Sequence, residues 1–244
     1  MKQPIFYTAG CSEALSFARN QLQQWGYVVS PIPSEHITHL LLPIPSFENA
    51  NILKGGSPLT DVLKTLPENI TILGGHLPEL PYHCIDFLKD EYYLTENAAI
   101  TAQCALKLIQ QKIPGILQDV PILVIGWGRI GKHLVRILRS LGANVTAAVR
   151  KERDLLALQT EQCNVVYLNQ LIPKNYRIVI NTAPAAVLNE KDCHSHALLM
   201  DLASQRGIEG NRVIWARGLP NKEAPQASGN LIAKTALRYA LGKE

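Results

Sequence analysis

The sequence predicts an α/β protein of two lobes, and three observations carry that expectation. Short, continuously apolar runs ending in Gly or Pro, such as HLLLPIP (39–45), ITILGG (70–75) and PILVIG (121–126), have the character of strands buried on both faces of a parallel sheet. Segments with apolar residues at helical spacing alternate with these runs, the pattern of a layered α/β arrangement. The 244 residues are 47% hydrophobic and 18% charged, which suits one large or two small globular cores and excludes disorder. The 16 glycines and 15 prolines follow no repeat, so collagenous and solenoid architectures are excluded as well.

In chain order, IFYTAG (5–10) reads as a strand. A helix from Ser12 to about Trp25 follows, with Ser12 as N-cap and Leu15, Ala18, Leu22 and Trp25 on one face. Strands are expected at 27–30, 39–45 and 70–75, making a small open α/β layer. A long helix at 94–113 carries an apolar stripe of Ala98, Ala102, Ala105, Leu106 and Ile109, and Pro114 stops it. The boundary between lobes falls near this helix: 1–95 form the first lobe, 96–118 the interdomain helix and linker, 119–222 the second lobe, and 223–244 a C-terminal helix.

The second lobe opens with a strand at 122–125, then Gly126, Gly128 and Gly131, then a helix with Ile130, Leu134, Ile137 and Leu141 on one side and Gly142 after its end. Strands are expected at 145–149, 165–168, 178–181, 198–202 and 213–215, so a doubly wound parallel sheet is favoured. Three glycines at GxGxxG spacing are weak alone. Between a buried strand and an amphipathic helix they mark a dinucleotide-binding turn. Gly126 permits the tight turn, Gly128 the approach of a pyrophosphate, and Gly131 close helix–sheet packing, with Arg129 and Ile130 completing the segment. An acidic residue about 20 positions on would bind a ribose 2′-hydroxyl; here the second strand ends in Arg150 and Lys151, with Arg153 close by. Guanidinium groups suit a 2′-phosphate, which favours NADP over NAD, while Glu152 nearby keeps NAD open.

Four segments stand in order: VIGWGRIGKHLVRILRSLGANV, INTAPAAVLN (180–189), MDLASQRG (200–207) and ARGLPNKEAPQASGNLIAKTAL (216–237). Together with ENAAITAQCAL (96–106) they resemble the bacterial dipicolinate synthase A family. The resemblance implies a flavodoxin-like N-terminal lobe, a Rossmann lobe holding NADP, and a C-terminal helix returning to the first lobe. It further implies conversion of 4-hydroxy-tetrahydrodipicolinate to dipicolinate during sporulation, in partnership with a second, flavoprotein-like subunit. Three departures are expected, the first that the chain is shorter than typical members, mostly in the N-terminal lobe. The loop after MDLAS is short, and Gln103 and Cys104 stand where that family commonly has Glu and Gly.

On this reading Asn181, Thr182, Ala183, Pro184 and Ala203 join the cofactor site at the carboxyl ends of the strands. A dicarboxylate substrate calls for cations, which makes Arg206, Arg217 and Lys222 candidate anchors beside Ser204, Asn97 and Thr101, the last two one helical turn apart. The catalytic residue is unassigned, with His76, Asn97 and Thr101 as candidates; His76 is the one histidine proposed as acid or base. Two other functions stay open: a dehydrogenase related to the D-2-hydroxyacid dehydrogenases, and a dinucleotide-binding regulatory subunit without chemistry of its own.

The five cysteines lack metal or disulfide spacing, so neither is expected. The chain has no long apolar segment and no leader-like N-terminus, which points to a soluble, cytoplasmic protein acting away from membranes and nucleic acid. Self-association is expected of such two-lobed dehydrogenases. The net charge of +4 is unevenly placed: residues 1–100 hold 5 basic and 10 acidic side chains, and 107–154 hold 9 and 3. Lys132, Arg136 and Arg139 share a solvated helix face, and the remainder surrounds the expected phosphate site.

Overall fold

The structure, a computed structural model, describes residues 3–49 and 51–242. The first part of the chain forms β1 (Ile5–Thr8), α1 (Glu13–Gln24), β2 (Val28–Ser30), β3 (His39–Leu41), a hairpin of β4 (Phe47–Asn49) and β5 (Ile52–Leu53), α2 (Leu59–Leu63), β6 (Thr71–Gly74), β7 (His83–Asp86) and the long α3 (Glu91–Lys112). There follow β8 (Pro121–Ile125), α4 (Arg129–Ser140), β9 (Asn144–Val149), α5 (Glu152–Thr160), β10 (Asn164–Tyr167) and β11 (Ile178–Asn181). The chain ends with β12 (Leu188–Asn189), β13 (Leu198–Asp201), β14 (Ile208–Glu209), β15 (Ile214–Trp215), α6 (Leu219–Glu223) and α7 (Pro225–Ala240). Met1–Asn97 together with Pro220–Glu244 make one compact unit, and Ala98–Leu219 the other.

The first lobe is built on a parallel sheet in the order β2-β1-β3-β6-β7, the flavodoxin-like winding. Its centre is apolar on both faces, with Phe6, Leu40 and Ile72 fully buried. Helix α1 buries Ala14, Leu15, Ala18 and Leu22, while Trp25, expected on the same face, is 40% exposed. Ser12 caps α1 by accepting the Leu15 N–H at 3.1 Å. Helix α7 belongs to this lobe and lies against α1: a Cβ at Gly229 would sit 2.5 Å from Ala14 O.

Helix α3 starts three residues earlier than its apolar stripe predicts because Asp90 caps it, accepting the Tyr93 N–H at 2.6 Å. The other Asp90 carboxylate oxygen accepts the Tyr239 hydroxyl at 2.6 Å and pairs with the Arg238 guanidinium, so α7 is fastened to the start of α3. Burial pushes the Asp90 carboxyl up, but Tyr239, the Tyr93 N–H and Arg238 outweigh it and hold the group below the usual carboxylate range. Strand β7 is not predicted from the sequence: its HCID segment is half exposed at the sheet edge and lacks the continuous apolar run of an interior strand.

The second lobe carries a six-stranded parallel sheet in the order β10-β9-β8-β11-β13-β15. Counted along the chain this is 3-2-1-4-5-6, the doubly wound order whose first crossover reverses beside β8. Leu123, Ile125, Val179, Leu199 and Ile208 fill its core. Helix α4 buries Gly131, Leu134, Val135 and Leu138 rather than the expected stripe ending at Leu141, which is 42% exposed. The helix is phased by Gly131, which must face the preceding turn, and the apolar stripe follows it.

Candidate functional site

The site grows from the end of β8. Gly126 adopts φ +98°, a backbone conformation that favours glycine, and turns the chain out of the sheet. Thr182, just past β11, donates its hydroxyl to Ile125 O at 2.9 Å and so holds the base of the turn. A Cβ on Gly131 would lie 2.2 Å from Gly126 O, so only glycine allows α4 to begin this close to the strand. Gly128 is the N-cap of α4 and supplies no side-chain hydrogen bond; a Cβ there would meet nothing within 4 Å. The first N–H groups of α4 therefore face open space, with the positive end of the helix dipole behind them.

That space is a cleft of about 350 Å³ whose walls include Gly126, Trp127, Gly128, Lys132, Arg150, Lys151, Arg153, Asp154, Thr182, Ala183 and Pro184. It shares Val149, Arg150 and Leu168 with a second hollow of about 670 Å³ that continues past Tyr167, Asn169 and Gln170. The cleft holds four cationic side chains and one carboxylate, Asp154, which lies 3.7 Å from Arg153. Lys132 sits 5.9 Å from the Trp127 ring centroid, a cation–π pair at the cleft wall. Beneath, Asn181 and Asp201 are fully buried. Asn181 donates to Ala183 O at 2.9 Å and to Asp201 at 3.1 Å, and accepts the Ala183 N–H at 2.9 Å. Asp201 also accepts the N–H groups of Ala203, Gly207 and Ile208 at 2.7–3.0 Å. One buried carboxylate thus sets both loops that follow β11 and β13.

Of the residues expected to hold a cofactor, Gly126, Gly128, Arg150, Lys151, Arg153, Thr182, Ala183 and Pro184 meet in this cleft. Gly131, Asn181 and Ala203 lie behind its walls as buried supports. Arg129 is exposed at the start of α4 and Ile130 half-buried; neither lines the cleft. Among the substrate candidates, Ser204 and Arg217 are exposed on the loops after β13 and β15. Arg206 differs from its expected part as an anchor: its guanidinium clasps Ile208 O at 3.1 Å and Gly210 O within its own loop. Lys222 lies on α6 in the first lobe. On α3, Asn97 is half-buried and Thr101 is buried, whereas Gln103 is exposed. His76 stands exposed after β6 at φ +59°, its backbone N–H donating to Asp86 at 3.1 Å.

Trp127, Lys132, Asp154 and Asp201 were not assigned to the site by the sequence. Lys132 reads as part of a solvated helix face, and only the turn geometry brings it over Trp127 into the cleft. Asp201 sits in the MDLAS segment, but which groups it binds depends on the fold. The five cysteines are free, Cys11 exposed, Cys84 half-buried and the others buried. Among the described residues no three His, Cys, Asp or Glu gather as metal ligands, and no helix is long and apolar enough to cross a membrane.

No protein-family model and no curated protein matches the chain. Solved structures do. Dipicolinate synthase A from Bacillus halodurans superposes with a TM-score of 0.83 at 17% identity, covering 98% of this chain and 97% of that one. Dipicolinate synthase A from Bacillus subtilis gives 0.82 at 20% identity, covering 100% and 99%. A transhydrogenase from Sinorhizobium meliloti gives 0.72 at 14% identity, covering 98% and 94%. At these identities the likeness is one of fold: the chain shares the two-lobed Rossmann architecture of dipicolinate synthase A over essentially its whole length.

Proposed function

We propose that the protein is an NADP-dependent oxidoreductase of the dipicolinate synthase A type. The observation that carries the proposal is the α4 N-terminus, which lacks a side-chain cap and opens onto a cleft with four cations at the end of β8. When bound, a nicotinamide dinucleotide supplies the hydride acceptor or donor of the reaction. The N–H groups after Gly128 would hold the pyrophosphate, and Val149, Leu168 and Tyr167 offer an apolar hollow for the adenine. Arg150 and Lys151 would bind a 2′-phosphate. The Asp154 carboxylate is offset by Arg153, which supports NADP over NAD.

The substrate is a cyclic dicarboxylate, oxidised with loss of water to dipicolinate, and Arg217 and Ser204 are its anchors in the second lobe. The partner in this reading is a second, flavoprotein-like subunit, and the chain self-associates. Titration with NADP and with NAD tests the cofactor, with tighter binding of NADP expected. Reduction of NADP on adding 4-hydroxy-tetrahydrodipicolinate and the second subunit, followed by nicotinamide absorbance, tests the reaction. Absence of binding by either dinucleotide at millimolar concentration overturns the proposal. Tight binding without turnover would instead favour the regulatory subunit.

A further inference from the structure

A second concavity of the second lobe lies at the other edge of its sheet. The amino ends of β8, β11 and β13 bound a cavity of about 350 Å³ walled by Pro121, Lys174, Tyr176, Arg177, His194 and His196. Backbone bonds fix the frame: the Arg177 N–H donates to Pro121 O at 3.0 Å, and the Leu198 N–H to Arg177 O at 2.9 Å. A four-residue strand, roughly 13 Å long, separates this edge from the dinucleotide cleft.

The walls carry one sign of charge. Lys174 and Arg177 make no side-chain hydrogen bond or ion pair among the described residues. In the same lobe Arg136, Arg139, Arg153, Arg206 and Arg212 are all engaged by carboxylates or carbonyls. Arg150, in the cofactor cleft, likewise has no partner among the described residues, and neither has Arg217, exposed after β15. No carboxylate lines this cavity. His194 adds a donor whatever its charge: its Nδ1 accepts the His196 N–H at 3.2 Å, which leaves the ring proton on Nε2. The His196 ring packs beside it at 5.8 Å between centroids, and the Asn175 amide supplies a further donor.

We propose that this cavity is a second anion site, which takes a small oxyanion of two or more negative charges. Like charges gathered around a concavity focus the field and are relieved by an anion. The Arg177 fork matches paired oxygens, and Lys174, Arg177, His194 and His196 are all exposed and so open to an ion from solvent. A phosphate and a compact dicarboxylate share the required chemistry. The site does not depend on the cofactor assignment.

The test is calorimetric titration of the full chain with inorganic phosphate and, separately, malonate, against sodium chloride at equal ionic strength. Saturable binding of at least one oxyanion is expected, and the tighter of the two identifies the ligand's source. Affinity at this cavity, read at the His194 and His196 ring resonances, should fall about tenfold or more in Lys174→Ala/Arg177→Ala, whereas Arg150→Ala/Lys151→Ala should weaken only separate phosphate binding at the dinucleotide cleft. In the unsubstituted protein, the His194 and His196 ring resonances should shift along the same binding curve, which locates the ligand without any variant. A response matched by chloride overturns the proposal. So does one lost in Arg150→Ala/Lys151→Ala but kept in Lys174→Ala/Arg177→Ala.

Discussion

Each lobe has a first βα turn at a glycine, and the two turns treat their helix ends in opposite ways. In the first lobe Gly10 turns at φ +86°, Cys11 N–H is taken by Lys54 O, and Ser12 caps α1 with its own hydroxyl. A Cβ would meet Pro43 at 2.9 Å at Gly10 and Thr182 at 2.8 Å at Gly126, so both turns are tightly packed at the glycine and differ at the N-cap that follows. In the second lobe Gly126 makes the same turn, but Gly128 offers neither cap nor bulk. Both lobes are parallel sheets with buried apolar strands, yet only one keeps its helix terminus open. The two turns thus differ in what occupies the N-cap: a serine that caps its own helix in one, a glycine with open space beside it in the other.

The substitution with the largest expected effect is Gly131→Ala. A Cβ against Gly126 O forces α4 from the strand, at a cost of about 1–3 kcal/mol, and removes dinucleotide binding. A thermal melt and a cofactor titration on the same sample check both. Gly128→Ser carries the capping device of the first lobe into the second. The melting temperature should hold or rise, since Ser exceeds Gly as N-cap by only a few tenths of a kcal/mol. Dinucleotide affinity should drop about tenfold or more, because the new side chain stands where the pyrophosphate approaches. If affinity survives, the contrast between the turns fails.

Arg150→Ala should weaken NADP about tenfold while sparing NAD, as a charge-assisted bond to the 2′-phosphate requires. Parallel titrations with the two cofactors measure that difference. Ser12→Ala should cost about 1 kcal/mol of stability and leave dinucleotide affinity unchanged, which denaturant unfolding and titration separate. The smallest effect is on acid stability. Asp90 is held below its ordinary value, so its contribution is fully present above the unfolded-state carboxylate range and is lost as pH falls through the folded value. Asp90→Asn should therefore flatten the acid limb of a stability–pH curve.

Much of this was readable in the residues. Continuous apolar runs marked the interior strands, and glycine spacing between strand and helix marked the tight turn at the end of β8. Arg150, Lys151 and Arg153 marked the cationic wall because they follow directly from the end of β9. What escaped was either half-exposed or dependent on distant partners. Strand β7 lacks an apolar run, the phase of α4 is set by one backbone contact, and Lys132 enters the cleft only once Trp127 is placed. Arg206 reads as a candidate substrate anchor; the carbonyls of Ile208 and Gly210 that engage it become neighbours only when its loop folds. Asp201 has its partners 2 to 20 residues away, and no spacing rule links them.

Gly229 presses α7 onto the turn of α1 that holds Ala14, with the whole of the second lobe in between along the chain. On a ribosome the first lobe is thus begun first and completed last. Its α1 face stays without its cover until α7 emerges, whereas the second lobe is contiguous and can close as soon as it has been made. A chain that ends at Ala224, released from the ribosome, should hold a protease-resistant second lobe beside a first lobe that is still open to cleavage.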